Sequence, residues 1–574
     1  MYPIKIITVE KSRFLENKAN EAGLSFAEMM ENAGFGVAEA IRHRLGAKGR
    51  RILVLVGPGN NGGDGLVAAH YLWEMGAQVT CYIWKRSVED DANLERIEGD
   101  HLSIVWAADD TEFRALRGLL SDAHVVVDAL LGVGVSLPIR KSLRQLLEVV
   151  RGSLAERRGP RQLTEVVPRV PVGSGPTVLA VDCPTGLDCD TGELDPAALH
   201  ADTTVTFAYP KVGLLRFPGA EAVGDLVVVD IAIPPELADD VSLVMATAEQ
   251  IQSWLPGRPD SAHKGTFGRA LIVAGSANYV GAAALAGMSA TRVGAGLVTM
   301  ALPTPIQPSV AANLVEATYL LLPHDMGVIA SGAVKVLQAN MGEYGVLLLG
   351  PGLTQEKETV AFVHTFLGLE RAERKGRLGF VSSSGEEEAV HLALPSLIVD
   401  ADGLNALVKA DSWWKALPPD TILTPHPGEM ARLMGDEGTV KEIEADREGV
   451  ARRMAAKWGV VVVLKGAFTV VAAPDGRVSV LPFANAGLAT AGSGDVLAGA
   501  IVGLRAQGLE AFEAAVAGAY LHGLAGELAR AELGDMGMVA GDLPPRLPLA
   551  LRRIRWAYPL SSEGGDKMEE EDSE

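Results

Sequence analysis

The sharpest chemical feature of the sequence is an aspartate set among small residues. In NAGLATAGSGDVLAGAIVGL (485–504), Gly492, Ser493 and Gly494 precede Asp495. Val496, Leu497, Ala500, Ile501 and Leu504 then recur at helical spacing. Small residues at a helix start leave backbone N–H groups free for an anion. A carboxylate there can take a proton from an attacking hydroxyl while the N–H groups steady a phosphoryl group. The same stretch also reads as a Gly-rich cap with an acidic first turn. Three stretches support the chemical reading. VLKGAFTVV (463–471) offers Lys465, Gly466 and Thr469 at a strand turn, suited to a nucleotide's phosphates or ribose. ILTPHPGEMARL (422–433) sets His426 between two prolines, with Glu429 beginning a helix, and LIVDADGLNAL (397–407) ends a strand on Asp400 and Asp402.

A second group lies nearer the N-terminus. The run ILVLV (52–56) leads into GPGNNGGDGLVAAHYL (57–72), with five glycines, Asn60, Asn61 and Asp64 before an apolar helical period. This reads as strand, Gly-rich loop and helix N-terminus, a geometry that holds anions. It matches neither GxGxxG in the Rossmann register nor GxxxxGK[ST]. Its amide and carboxylate oxygens are hard donors, suited to a sugar hydroxyl or a cation. VVVDALLGVGVSLP (125–138) and AVDCPTGLDCDTG (180–192) put Asp128 and Asp182 at two more strand ends, the latter followed by Pro184, Thr185 and Gly186. Each aspartate alone reads equally as a turn cap. Three polar strand ends together point to one cleft, because ligands of open α/β sheets sit at the carboxyl ends of strands.

The elements that must position these residues are short β-branched runs, each followed by a Gly-rich turn and a helical segment. ILVLV, VVVDAL (125–130), TVLAVD (177–182), ALIVAG (270–275), VLLLG (346–350), SLIVDADG (396–403) and VVVVLKG (460–466) are apolar on both faces, as buried parallel strands are. The fold class is therefore α/β. Breakers IPPEL (233–237) and LPGRPDSAHKGTFG (255–268) divide the chain into domains 1–240 and 241–557, followed by an acidic tail, 558–574, expected to be disordered. Residues 151–176 and 368–392 read as surface insertions.

With 574 residues, 48% hydrophobic and 21% charged, the chain is globular rather than fibrous or disordered. Its formal net charge of −21 argues against a protein that coats nucleic acid. Three cysteines give neither a disulfide framework nor a four-Cys zinc site. The N-terminus lacks a signal-peptide core, and no apolar run approaches the roughly 20 residues of a membrane span. A cytoplasmic protein with no membrane partner is expected.

The residues ENAG (31–34), GPGNNGGDG (57–65), VDALLGVG (127–134), VDCPTGLD (181–188) and FAYPKVGLL (207–215) resemble a YjeF N-terminal domain, the NAD(P)H-hydrate epimerase. HKGTFGRALIVAGS (263–276), RVGAGLVTMALP (292–303), GPGL, PHPGE and AGSGD resemble the YjeF C-terminal domain, the ADP-dependent NAD(P)H-hydrate dehydratase. The resemblance implies an N-terminal Rossmann-like α/β/α sandwich and a C-terminal ribokinase-like α/β/α domain. It implies repair of hydrated NADH and NADPH. The first domain would interconvert the R and S hydrates, and the second would dehydrate the S form with ADP as co-substrate, giving AMP and phosphate.

The resemblance also assigns roles. Asn60, Asn61, Gly62, Gly63, Asp64, Gly132, Val133, Gly134, Val135, Ser136, Leu137, Pro138 and Asp182 would bind the hydrate in the first domain. Asn61, Asp128 and Thr185 would hold K+, with Thr185 where the family usually has Ser. Asp182 would be the acid/base or orienting carboxylate. In the second domain Ala282, Gly352, His426 and Asp495 would contact the hydrate, and Lys465, Gly466, Ala467, Phe468, Thr469 and Gly494 the nucleotide. Asp495 would be the base, Mg2+ would neutralise the phosphoryl charge, and the enzyme is expected to be a homo-oligomer. The AGSGD element alone equally supports a small-molecule kinase of the ribokinase superfamily fused to a nucleotide-binding module; the PHPGE and GPGL matches favour the dehydratase. A sensor or scaffold whose first half only binds is disfavoured by the intact Asn61, Asp128 and Thr185 set.

Overall fold

Runs that are apolar on both faces form the centre of two largely parallel sheets. The computed structural model describes residues 4–89, 91–100, 102–158, 175–369 and 394–557. The chain forms two compact units, one ending at Val241 and the other continuing from Ser242.

In the first unit seven strands lie in one sheet: β1 (Arg51–Val56), β2 (Gln78–Ile83), β3 (Ser103–Trp106), β4 (Val125–Ala129), β5 (Thr177–Val181), β6 (Thr203–Phe207) and β7 (Asp225–Val229). Their order is β3-β2-β1-β4-β5-β6-β7, and every pairing is parallel. Side chains alternate between two cores. Ile52, Val54 and Val56 of β1 face one, with the helices Phe26–Leu45 and Asn60–Glu74; Leu53 and Leu55 face the other, with the helix Lys141–Arg158. The chain leaves β1 toward one edge and β4 toward the other, so a crevice opens beyond the carboxyl ends of these two strands.

The second unit repeats the logic with β8 (Leu243–Met245), β9 (Arg269–Val273), β10 (Leu297–Pro303), β11 (Thr318–Leu322), β12 (Val346–Leu349), β13 (Ser396–Val399), β14 (Ile422–Leu423), β15 (Val461–Leu464), β16 (Val470–Ala472) and β17 (Val478–Val480). The order is β8-β17-β16-β15-β14-β13-β12-β9-β10-β11. It is parallel from β15 to β11, and β16 is antiparallel to both neighbours. Ala270, Ile272, Val346 and Leu348 share one core with the helices Val280–Arg292, Ser493–Ala506 and Ala511–Leu533. The direction of crossover reverses between β9 and β12.

Two sequence expectations need correction. The Gly-rich stretch after β1 is mostly helix: the helix begins at Asn60, and only residues 57–59 form the turn. Glycine is required there for close approach. A Cβ on Gly62 would stand 2.1 Å from the Gly57 carbonyl oxygen, and one on Gly57 would stand 1.7 Å from that of Leu130. The stretch 151–176 begins as regular structure, because its first residues complete the helix Lys141–Arg158 and bury Leu154. Residues 159–174, 370–392 and the tail 558–574 lie outside the described residues. Among the described residues no helix is long and apolar enough to cross a membrane, and Cys81, Cys183 and Cys189 are buried free thiols.

Candidate active sites

The crevice of the first unit is a cavity of about 650 Å³. The turn after β1, the helix Asn60–Glu74 and the turn after β4 contribute Gly59, Asn60, Asn61, Asp64 and Leu130–Gly134 to its wall. Asp182 stands at the end of β5 with φ +63, a backbone region few non-Gly residues adopt and one that clusters at functional sites. Its Oδ1 accepts from Lys211 Nζ at 2.6 Å and from Thr206 Oγ1 at 3.1 Å. Lys211 is almost wholly buried and also donates to Phe207 O at 3.3 Å. Burial works against its charge, but Asp182 outweighs that and holds the ammonium above its ordinary pKa.

Asp64 is buried beside this pair. Desolvation, then the charges of Asp182 and Glu16, push its carboxyl well above the usual range. The lining also has an apolar part: Phe26, Met29, Met30, Ala33, Phe207 and Ile231. Gly62 and Gly63 are absent from the lining; they pack against Arg86 and Met30. Arg86 donates to Gly57 O at 3.1 Å and Gly59 O at 2.9 Å, bracing the turn from behind, and pairs with Asp91. Val135, Ser136, Leu137 and Pro138 also lie off the lining.

Asp128 and Thr185 meet at the ends of β4 and β5. Thr185 Oγ1 donates to Asp128 Oδ1 at 2.7 Å, and Thr185 N donates to Oδ2 at 2.8 Å. The hydroxyl also accepts from Leu131 N at 3.0 Å. Asp128 is fully buried, and burial pushes its carboxyl up to about 6 despite these bonds. Asn61 sits against Gly132, its Nδ2 buried without a partner. Beside the buried carboxylate stand two neutral oxygens, Thr185 Oγ1 and Leu131 O, 3.3 Å apart; these are hard donors that fit a monovalent cation.

In the second unit the site follows the carboxyl edge of the sheet. Gly352, after β12, packs its backbone against Ala282: a Cβ there would stand 2.9 Å from that of Ala282. Asp400 follows β13, Thr424 and His426 follow β14, and Lys465 follows β15. Lys465 Nζ reaches past β14 to donate to Asp400 Oδ1 at 2.8 Å, where Thr424 Oγ1 also donates at 2.7 Å. Glu429 Oε2 stands 3.6 Å from the same ammonium. Asp400 Oδ2 is buried without a partner. Between Asp400 and Asp402, Ala401 takes φ +49, and Asp402 Oδ2 accepts from Thr354 N at 2.9 Å.

His426 caps the helix Pro427–Met434: its Nδ1 accepts from Gly428 N at 3.0 Å and Glu429 N at 3.3 Å, and Nε2 of this half-exposed side chain stands 3.6 Å from Glu429 Oε1. Asp495 lies in the first turn of the helix Ser493–Ala506, which opens on Gly492 at φ +92. Lys465 Nζ lies 3.4 Å from the Cβ position of Gly494. Desolvation first, then the charge of Asp400, pushes the Asp495 carboxyl up to about 7, with Lys465 pulling it down. Of the expected nucleotide residues, Lys465 and Gly494 come together here. Gly466 packs on Arg447, Ala467 is exposed, Phe468 N donates to Phe483 O, and Thr469 Oγ1 donates to Gly466 O.

Sequence reasoning gave no role to Lys211, Glu16, Arg13 or Arg86. Lys211 carried a signal, a lysine inside the apolar run FAYPKVGLL; the others carried none, since charged residues on a helix, as Arg13 and Glu16 are, or in a loop, as Arg86 is, read as solvated. Among the described residues no three His, Cys, Asp or Glu side chains could share a metal.

Two family models match the chain: "YjeF-related protein N-terminus" over residues 26–213 and "NAD(P)H-hydrate dehydratase" over residues 270–548. The chain is 38% identical over 535 residues to the bifunctional NAD(P)H-hydrate repair enzyme Nnr of Moorella thermoacetica, covering 92% of each chain. It is 37% identical to that of Thermofilum pendens, covering 96% of this chain and 97% of the other. Among solved structures, the ADP/ATP-dependent NAD(P)H-hydrate dehydratase of Bacillus subtilis, co-crystallised with ATP and Mg2+, is 32% identical with a TM-score of 0.44, over 54% of this chain and 98% of that one.

Proposed function

The chain belongs to the family of bifunctional NAD(P)H-hydrate repair enzymes, and from that premise we propose that it carries both half-reactions, one in each unit. The first unit interconverts the R and S hydrates of NADH and NADPH. The second dehydrates the S form with a nucleoside diphosphate, ADP. The observation that carries the reading is common to both sites. Each holds a buried Lys–carboxylate pair at parallel strand ends, Asp182–Lys211 at 2.6 Å and Asp400–Lys465 at 2.8 Å. Beside each pair is a further carboxyl with a raised pKa, Asp64 or Asp495. Carboxyl groups raised above their ordinary range suit general acid–base work.

In the dehydratase site, Asp495 takes the proton of the hydrate's C6 hydroxyl, whose oxygen attacks the terminal phosphorus of ADP. The P–O bond to AMP breaks. The C6 oxygen then leaves as inorganic phosphate, and loss of a C5 proton restores the ring double bond. Lys465 and the N–H groups at Gly492–Gly494 meet the charge on the transferring phosphoryl group. Asp400, whose Oδ2 has no partner among the described residues, would help hold a nucleotide-bound Mg2+, which would neutralise phosphate charge. In the epimerase site, Lys211 keeps Asp182 oriented at the cavity, and the apolar wall carries the ring. Asn61, Asp128 and Thr185 would hold K+, which supplies a fixed positive charge where Asp128 is buried. The three free thiols suit a reducing, cytoplasmic setting; assembly as a homo-oligomer is part of the same proposal.

The test uses purified protein, a mixed-epimer NADH hydrate, Mg2+ and K+, and follows the return of reduced-nicotinamide absorbance with ADP, ATP or neither. Full recovery with ADP, including the R epimer, supports both activities. Recovery that stops when the S form is consumed removes the epimerase. No recovery with either nucleotide removes the dehydratase and favours a kinase with another hydroxylated substrate.

A further inference from the structure

The cavity of the first unit has a wall that the N-terminal family model, which begins at residue 26, does not reach. The helix Val9–Glu21 supplies it, sending Arg13 and Glu16 to the lining alongside Asp64, Asp182 and Lys211. The helix is held firmly. Leu15 and Ala19 are fully buried. Val9 N donates to Asp190 Oδ1 at 2.8 Å, and Ile7 pairs with the very segment that carries Lys211, by Ile7 N to Pro210 O and Val212 N to Ile7 O, both 3.0 Å. One turn before Glu16, Ser12 Oγ donates to Glu16 Oε1 at 3.0 Å. That bond fixes the carboxyl and leaves Oε2 to carry a proton.

Epimerisation at C6 of the hydrate needs two proton transfers. The C6–O bond breaks as the hydroxyl takes a proton and leaves as water, while the ring nitrogen's lone pair forms the C6–N double bond. Water then adds to the other face of C6 and gives up a proton to a base. Asp182, hydrogen-bonded to the Lys211 ammonium, is the base. We propose that Glu16 is the second acid–base group of this site, protonating the departing C6 oxygen from the helix wall while Asp182 receives the proton of the attacking water from the strand edge. The turnover ends with Glu16 ionised and Asp182 protonated, the arrangement that runs the reaction in reverse, and solvent exchange resets it. No net proton or electron is consumed. The groups facing Glu16 are Arg13 on its own helix, Asp182 and Lys211 from the sheet edge, and Asp64 from the helix Asn60–Glu74. Burial, opposed next by the Ser12 bond, keeps its carboxyl above the usual range. The proposal rests on the epimerase reading.

The experiment compares the full-length wild type with Glu16→Gln, Glu16→Asp and Asp64→Asn. It measures R-to-S conversion above the spontaneous rate across pH, dehydration of purified S hydrate, and thermal unfolding. Glu16→Gln is expected to lower epimerase kcat by about 100-fold or more and to abolish the fall in rate at alkaline pH. It should leave S-hydrate dehydration and the melting temperature unchanged. Glu16→Asp should keep the alkaline limb at reduced rate. Glu16→Gln within about threefold of wild type, with the same pH profile, overturns the proposal. So does an alkaline limb lost in Asp64→Asn and kept in Glu16→Gln, which would make Asp64 the acid. A wild type that converts R to S no faster than buffer removes the epimerase reading itself, and this proposal with it.

Discussion

The pH dependence of the dehydratase tests the electrostatics of its site directly. A base with a pKa of about 7 is ionised in about one molecule in eleven at pH 6 and about ten in eleven at pH 8, so kcat/KM should rise about tenfold over that interval. Two substitutions should move this limb in opposite directions. Asp400→Asn removes the largest charge that raises Asp495 and frees Lys465 to face it, and both effects favour the carboxylate. Lys465→Met removes the charge that lowers it. A charge within about 4–6 Å shifts a carboxyl by about 1–3 units; taking the low end, the limb moves about one unit acid in Asp400→Asn and about one unit alkaline in Lys465→Met, about 1.4 kcal/mol each way. The maximal rates will fall for other reasons, so the quantity read is the midpoint of the limb, from initial rates of reduced-nicotinamide return with saturating ADP. A wild-type limb in the ordinary carboxylate range, or two variants shifting the same way, would refute the assignment of Asp495 as a base tuned by Asp400 and Lys465.

Three further outcomes are expected. Thr185→Ala strips the buried Asp128 Oδ1 of its hydroxyl donor and Leu131 N of its acceptor; it should cost about 1–3 kcal/mol of stability by urea titration and abolish potassium activation of the epimerase, while Thr185→Ser restores both. Gly62→Ala drives a Cβ to 2.1 Å from the Gly57 carbonyl oxygen; loss of epimerase with dehydratase activity intact is expected, at a cost of about 1–3 kcal/mol or more. His522 is partly buried on the helix Ala511–Leu533, and desolvation depresses its pKa from 6.5 to about 4. Between those values the unfolded chain binds more protons, so the stability is present above pH about 6.5 and is lost as pH falls towards about 4, to at most about 3 kcal/mol. Urea midpoints across this range should flatten in His522→Asn.

The parallel strands were legible because a strand buried on both faces must be apolar throughout, as ILVLV and VLLL are. The helix start at Asn60 was not. Five glycines in nine residues read as loop by propensity, and only the approach of Leu130 to Gly57, and of Gly57 to Gly62, shows why the helix tolerates them. Asp128, Asp182 and Asp495 were legible because each ends a strand or opens a helix within its own motif. The Lys465–Asp400 pair spans 65 residues and depends on the order β13-β14-β15, which no local pattern encodes. Glu16 was hidden more thoroughly. Its helix buries Val9, Leu15 and Ala19, so a charged residue between them reads as a solvated face until the docking of Ile7 beside Lys211 turns that face inward.

Both sites contain more buried carboxyl groups than ammonium groups, and this has a chemical consequence. Asp64 and Asp182 share Lys211; Asp400, Glu429 and Asp495 surround Lys465. Desolvation, with the like charges beside it, raises the pKa of Asp64 in the first cluster and of Asp495 in the second. The surroundings of the two clusters differ. In the first unit the same cavity is also lined by Phe26, Met29 and Met30, which suits a flat ring. In the second, Lys465 lies beside the opening turn of the helix at Gly494, which suits a phosphoryl group. On the proposed mechanism the same surplus of buried acid would serve proton return at a carbon centre in one unit and activation of a hydroxyl nucleophile in the other.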